Sequence, residues 1–166
     1  MKINYSIADC PLGQLLVAAT GKGVCSVALG DSEESLLKAL SEQYPASDIQ
    51  RGDALLKEVI KQIQNYLSGS QPHIDLPVDI SSSEFRSRVY KVLKGIPGGE
   101  TRSYEEIARS IGQPTAVRAV ASACAKNPVA LLIPCHRVIR KDGSMGGYRW
   151  GLERKKRLLD MEENSS

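Results

Sequence analysis

The sequence predicts an α/β protein in two parts, a strand-and-helix half over residues 1–80 and a helical half over 81–166. Three observations carry this reading. Short apolar runs of strand type come first, and helical spacings follow them. The charge balance changes sign near residue 80. Residues 1–80 hold 6 Lys and Arg against 10 Asp and Glu, a net of −4, whereas 81–166 hold 16 against 9, a net of +7. Within the basic half, a short helix, Gly112 and a longer helix give the outline of a helix-turn-helix.

The elements follow in order. Tyr5 and Ile7 alternate with polar neighbours, and Leu15 to Ala19 is a short buried run. Gly21-Lys22-Gly23 reads as a hairpin turn into a strand from Val24 to Leu29. Asp31 and Glu34 have capping-box spacing, Leu36, Leu37 and Leu40 follow at helical spacing, and Pro45 ends that helix. A second helix runs from Asp53, with Leu56, Val59, Ile60, Ile63 and Leu67 on one face. Ile74, Leu76, Val78 and Ile80 alternate as a last strand, placed at an edge by Pro77.

Ser81-Ser82-Ser83 marks the boundary. Ser81 and Glu84 then cap a helix that buries Phe85, Val89 and Val92, and Ser103 and Glu106 cap a short one with Ile107 and Ile111. Pro114 suits the first turn of a third helix reaching Lys126. Its Val117, Val120 and Cys124 form an inward stripe; Ala116, Ala119 and Ala123 form a smooth one flanked by Arg118 and Lys126. Such a face fits close approach to a groove, and it fits tight helix packing equally well. The basic balance fits a polyanion partner, and it also fits solvated helix faces.

Composition excludes several classes. Hydrophobic residues at 42 % and charged residues at 25 % argue against a disordered tail or a fibre. No apolar run approaches the roughly 20 residues of a membrane span. Lys2 and Asp9 interrupt any hydrophobic signal core, so a soluble cytoplasmic protein with no membrane partner is expected. Cys10, Cys25, Cys124 and Cys135 include no C-x-x-C pair, and Cys10, Cys25 and His73 match no zinc spacing. No metal is expected.

The chemistry concentrates after Asn127-Pro128. Val129 to Ile133 reads as a buried strand, and it ends at Pro134-Cys135-His136-Arg137-Val138. An isolated cysteine is usually a small buried hydrophobe. A cysteine beside His136, with Arg137 and Arg140 near, has what a nucleophile needs, because the attacking species is the thiolate.

Ile133-Pro134-Cys135-His136-Arg137-Val138 resembles the active-site signature of the O6-alkylguanine-DNA alkyltransferases. The resemblance extends over residues 85 to 162. It takes in Gly99-Glu100-Thr101-Arg102-Ser103-Tyr104, Arg118-Ala119-Val120, Asn127-Pro128, Gly147-Tyr148 and Leu158-Leu159-Asp160-Met161-Glu162. Gly147-Tyr148-Arg149-Trp150-Gly151 most resembles the carboxy-terminal half of the Ada adaptive-response proteins.

The resemblance implies a small ribonuclease-H-like α/β domain over 1–80, then a helical winged helix-turn-helix DNA-binding domain over 81–166. It also implies a monomer, found in the cytoplasm at the nucleoid, that moves an alkyl group from O6 of guanine in duplex DNA, with O4-alkylthymine as a second possible lesion. The acceptor would be Cys135, used once, with no cofactor. His136 would act as base through a water, Glu162 would orient it, and Asn127 would brace the turn that carries Cys135. Tyr104 matches the tyrosine that serves guanine N3. The carbonyls of Cys135 and Val138 would take the guanine amine, and amides near Tyr148 and Arg149 would approach O6. The target base must leave the stack, and Arg118 matches the finger that fills its place. The helix carrying Ala116, Ala119, Ser122, Ala123 and Lys126 would enter the minor groove, whose poor base information suits a search of any sequence.

One departure is notable: Trp150 stands where many members carry a smaller residue, so bulky adducts are expected to be accepted poorly. The main alternative is the repair domain of a longer Ada-type regulator, for which 166 residues without a Cys-rich module would not suffice. A lesion-binding relative lacking the cysteine is opposed by Cys135 itself, and a redox-sensing regulator would not need Tyr104, Arg118 and Glu162 at these spacings.

Overall fold

The structure is a computed structural model that describes residues 1–164; the last two residues of the predicted second part lie outside them. Contacts divide the chain into two units, Met1–Ile80 with Pro128–Leu132, and Ser81–Asn127 with Ile133 onward. A short segment of the second half thus belongs to the first unit.

The first unit is built on a four-stranded sheet of order β3-β2-β1-β4, formed by β1 (Lys2–Cys10), β2 (Gly13–Thr20), β3 (Gly23–Gly30) and β4 (Asp48–Arg51). β1–β2 and β2–β3 are antiparallel hairpins, whereas β4 runs parallel to β1. Gly23 is required by close approach: a Cβ there would lie 2.7 Å from the Pro77 carbonyl oxygen. Leu15 to Ala18 are fully buried, as expected of a strand covered on both faces. Helix α1 (Glu33–Gln43) seats Leu36 and Leu40 on Ile3, Ile7, Leu16, Ala18 and Cys25. Helix α2 (Asp53–Leu67) buries Leu56, Ile60, Ile63, Tyr66 and Leu67, and its Asp53 accepts from Ser6 Oγ at 2.7 Å.

Three expectations in this unit are corrected. Ser32, not Asp31, caps α1, because its side chain is the one that accepts the Ser35 N–H. Residues 74–80 form no strand. Pro77 has no N–H to donate, and only an isolated bridge pairs Val78 with Val24. Val129 to Ile133 is buried but is not a strand either. Val129 bridges Val27, and the chain then turns sharply at Leu131, whose φ is +72°, with the Leu132 N–H donating to the Ala130 carbonyl at 2.8 Å.

The second unit is helical. Helix α3 (Glu84–Lys94) is capped by Ser83 rather than Ser81, and its buried face is Val89, Tyr90 and Leu93, with Phe85 and Val92 half-buried. A short strand β5 (Arg102–Ser103) leads directly into helix α4 (Tyr104–Ser110), closed by the expected capping box of Ser103 and Glu106. Helix α5 (Val117–Ala125) begins after Ala116, so Pro114 lies in the preceding turn and not in its first turn. A 3-10 turn at Cys135–Arg137 leads into β6 (Val138–Ile139), which pairs parallel with β5. Helix α6 (Leu152–Asn164) turns Lys155, Leu158 and Glu162 inward at i, i+3 and i+7. Among the described residues no helix is long and apolar enough to cross a membrane.

Candidate active site

Asn127 ends the segment that follows α5 and is fully buried. Its side-chain Nδ2 donates to the Ile133 carbonyl at 2.8 Å and to Cys135 Sγ at 3.2 Å. One amide therefore fixes both the approach to Cys135 and its sulfur. Between them Pro134 closes a tight turn, with the Cys135 N–H donating to the Ile133 carbonyl at 2.8 Å. Cys135 is 3 % exposed. Burial raises its thiol pKa, while the Asn127 amide, the Lys155 ammonium and the Arg149 guanidinium pull it back down.

His136 is fully buried, and its Nε2 lies 3.0 Å from both carboxylate oxygens of Glu162. Glu162 also receives Arg137, Nε at 2.9 Å and Nη2 at 2.6 Å, while Arg137 Nη1 donates to the Ile96 carbonyl at 2.7 Å. Burial dominates the imidazole and pushes its pKa below the usual value, although Glu162 pulls the other way. A neutral ring that donates its Nε2–H to Glu162 carries a lone pair on Nδ1, and this buried Nδ1 has no hydrogen-bond partner among the described residues.

Tyr104 stands at the start of α4, buried, with its pKa pushed up to about 12 by burial, so the phenol keeps its proton and can donate it. Gly146, with φ of +69°, lets the backbone pass this phenol; a Cβ there would lie 2.8 Å from Tyr104 Oη. The Cys135 carbonyl accepts from the Val138 N–H, and the Val138 carbonyl accepts from Lys155 Nζ at 2.7 Å. Each oxygen keeps a second acceptor position. Tyr148 meets His136 edge-on at 6.4 Å and Trp150 at 5.3 Å between ring centroids, forming a row of three rings.

The structure thus brings Cys135, Asn127, His136 and Glu162 together, with Tyr148 beside His136. On α5, Arg118, Ala119, Ser122 and Lys126 are exposed and Ala116 is half-buried. Ala123 corrects the expectation. It is 1 % exposed, and its carbonyl accepts from Tyr90 Oη at 2.8 Å, so it packs α5 on α3 and does not line an outer strip.

Sequence reasoning missed two residues. In the sequence Arg137 is only nearby positive charge, yet in the structure it grips Glu162. Lys155 is fully buried, and its Nζ donates to the carbonyls of Val138, Met145 and Gly147, the last at 3.0 Å. Burial brings its pKa down to about 8. The available signal was its place on the same inward stripe as Leu158 and Glu162.

Two family models match this chain: the 6-O-methylguanine DNA methyltransferase ribonuclease-like domain over residues 3–80, and its DNA binding domain over 84–164. The chain is 43 % identical over 162 residues to the bifunctional transcriptional activator/DNA repair enzyme Ada of Escherichia coli, covering 98 % of this chain and 46 % of that protein. It therefore spans about half the length of that relative. It is 39 % identical to the methylated-DNA–protein-cysteine methyltransferase of Methanosarcina barkeri over 97 % of this chain and 98 % of that one. The Mycobacterium tuberculosis OGT solved in complex with DNA superposes with a TM-score of 0.82 at 32 % identity, covering 98 % of this chain and 94 % of that one. On these matches, the chain belongs to the 6-O-methylguanine DNA methyltransferase family.

Proposed function

We propose that this protein repairs DNA by moving an alkyl group from O6 of guanine in duplex DNA to Cys135, once per molecule. The observation that carries the reading is the buried array of Asn127 on Cys135 Sγ and of Glu162 and Arg137 behind His136. A solvated surface cysteine needs neither. The relatives' names and the DNA complex of the mycobacterial protein support the same substrate and partner.

In this mechanism His136 Nδ1 takes the thiol proton through a water, since it makes no direct bond to sulfur. The thiolate attacks the alkyl carbon, a C–S bond forms, and the C–O6 bond breaks. Tyr104 donates a proton toward N3 as the purine leaves, which spares it departure as an anion. The free acceptor positions of the Cys135 and Val138 carbonyls meet the guanine amine, and the chain near Tyr148 and Arg149 meets O6. The thioether is stable, so turnover stops at one. The lesion reaches Sγ only when flipped, with Arg118 taking its place in the stack and Ala116, Ala119, Ser122 and Lys126 facing the minor groove. A DNA substrate fits work at the nucleoid in the cytoplasm, done here by a monomer, and the transfer to Cys135 as written uses no cofactor.

Intact mass after incubation with duplex DNA carrying O6-methylguanine tests this. A single added methyl on the Cys135 peptide, absent in Cys135→Ala, is expected. Binding without added mass would overturn the reading in favour of lesion binding. A second reading, the repair half of a longer regulator, is favoured by the match to half of Ada. The full length of the reading frame decides it.

A further inference from the structure

The Arg149 side chain does work that its main chain does not. Nη1 donates to the Asn127 carbonyl at 2.7 Å, and the guanidinium carbon sits 5.3 Å from the Trp150 ring centroid. Asn127 in turn holds Cys135 Sγ and the Ile133 carbonyl through its side chain. Trp150 leans on Tyr148, and Tyr148 leans on His136. The indole, 9 % exposed, thus meets both the Tyr148 ring and the Arg149 cation. Its backbone lies in a segment, 144–150, that forms no helix or strand and is held by Lys155 Nζ on the Met145 and Gly147 carbonyls and by Arg154 Nη1 on the Trp150 carbonyl at 3.2 Å, none of which touches the ring.

We propose that Arg149 is a specificity-determining positioning residue: its guanidinium pins the Trp150 indole to the turn carrying Cys135 and so limits the size of alkyl group accepted. The proposal rests on the alkyltransferase reading above. A planar guanidinium can stack on an indole while donating in its own plane, which an ammonium cannot reproduce. Removing it frees the indole to swing aside. A methyl adduct gains nothing from that and feels only the loss of a positive charge near the thiol and of the bond to the Asn127 carbonyl. A benzyl adduct feels the same loss, offset by the extra room. The benzyl-to-methyl rate ratio therefore isolates the wall from the charge.

The test measures self-alkylation rates by intact mass on duplexes carrying O6-methylguanine or O6-benzylguanine. Arg149→Met is expected to raise the benzyl-to-methyl ratio about tenfold, the scale of a modest change in pocket room. Arg149→Lys keeps the charge but loses the stack, so it should raise the ratio as well. In Trp150→Gly the ratio should rise, and adding Arg149→Met should raise it no further, because the residue acts through the indole. Trp150 is the one tryptophan in the sequence, so its emission should shift red and its acrylamide quenching increase in both Arg149 variants. An unchanged ratio in Arg149→Met, a rise confined to Arg149→Met, or a multiplicative gain in the double variant overturns the proposal. Wild-type protein that gains no methyl overturns the alkyltransferase reading, and this inference falls with it; wild-type methylation with an unmoved ratio sinks the inference alone.

Discussion

Arg137 and Glu162 meet as a fork, Nε on Oε1 at 2.9 Å and Nη2 on Oε2 at 2.6 Å, with the His136 imidazole on the other side of the same carboxylate. This arrangement decides the state of the imidazole. A buried carboxylate facing only an imidazole would favour imidazolium. Here the carboxylate's charge is already balanced, so it orients the ring and accepts its Nε2 proton without holding a second one.

Arg137→Met should therefore have two effects. It strands a Glu162 side chain that is 3 % exposed, which should lower stability by about 3 kcal/mol in denaturant melts. It also removes a cation that holds the imidazole pKa down, so that pKa should rise. The pH profile of self-methylation should move to higher pH; an unmoved profile would mean that Arg137 serves packing alone.

Burial holds the His136 pKa below its usual 6.5. Between the folded-state value and 6.5 the unfolded chain binds the extra proton. Stability from this group is thus complete above 6.5 and is lost as pH falls through that window. The methylation rate should hold through pH 6.5 and fall only at lower pH, where Nδ1 of the folded protein takes a proton. Nitrogen NMR should show the Nε2–H tautomer at neutral pH. A rate that halves above pH 7 would contradict the assignment.

Asn127→Ala removes the donors to the Ile133 carbonyl and to Cys135 Sγ together. The buried carbonyl left behind should cost about 2 kcal/mol. The thiol should also titrate higher, since that amide is one of the groups pulling its pKa down. Asn127→Asp should be worse, because it faces two acceptors with a carboxylate. Thiol titration by absorbance and a melt of each variant check both statements; a thiol that titrates no higher in Asn127→Ala would remove the amide from the chemistry.

The elements that carry the site were legible because each is written in local sequence: Ser103 and Glu106 close their capping box, and Asn127, Cys135 and His136 lie within ten residues. Glu162 was reached through the closing segment. What escaped depends on long-range pairing. β4 has Ile49 as its only apolar residue, and a strand bonded along one side needs no alternation. Val129 to Ile133 has the apolar content of a strand, yet burial alone does not distinguish a strand from a buried turn. Ala123 is small for packing, whereas its neighbours Ala119 and Ser122 are exposed, and no sequence signal separates them.

Lys155 should prove structural. Its ammonium draws the carbonyls of Val138, Met145 and Gly147 onto one point, which ties the loop after β6 to α6. Lys155→Met would leave three carbonyls without that donor, at a cost of about 3 kcal/mol. Lys155→Arg should rescue little, because a flat fork does not converge on three oxygens as a point charge does. Denaturant melts and amide exchange of residues 140–147 test this; full stability in Lys155→Met would show that the carbonyls find other donors.

Arg118 gives the sharpest separation of DNA handling from chemistry. It is exposed on α5, so Arg118→Ala should change stability by no more than about 0.5 kcal/mol. A paired base must be extruded and its gap filled, while a base in a single strand needs neither. The loss of methylation rate should then be much larger on duplex than on single-stranded O6-methylguanine DNA. If Lys126, exposed after α5, meets phosphate, Lys126→Ala should weaken both substrates alike and reduce the salt dependence of binding. Equal losses on the two substrates in Arg118→Ala would reassign Arg118 to backbone attraction and leave extrusion to another residue.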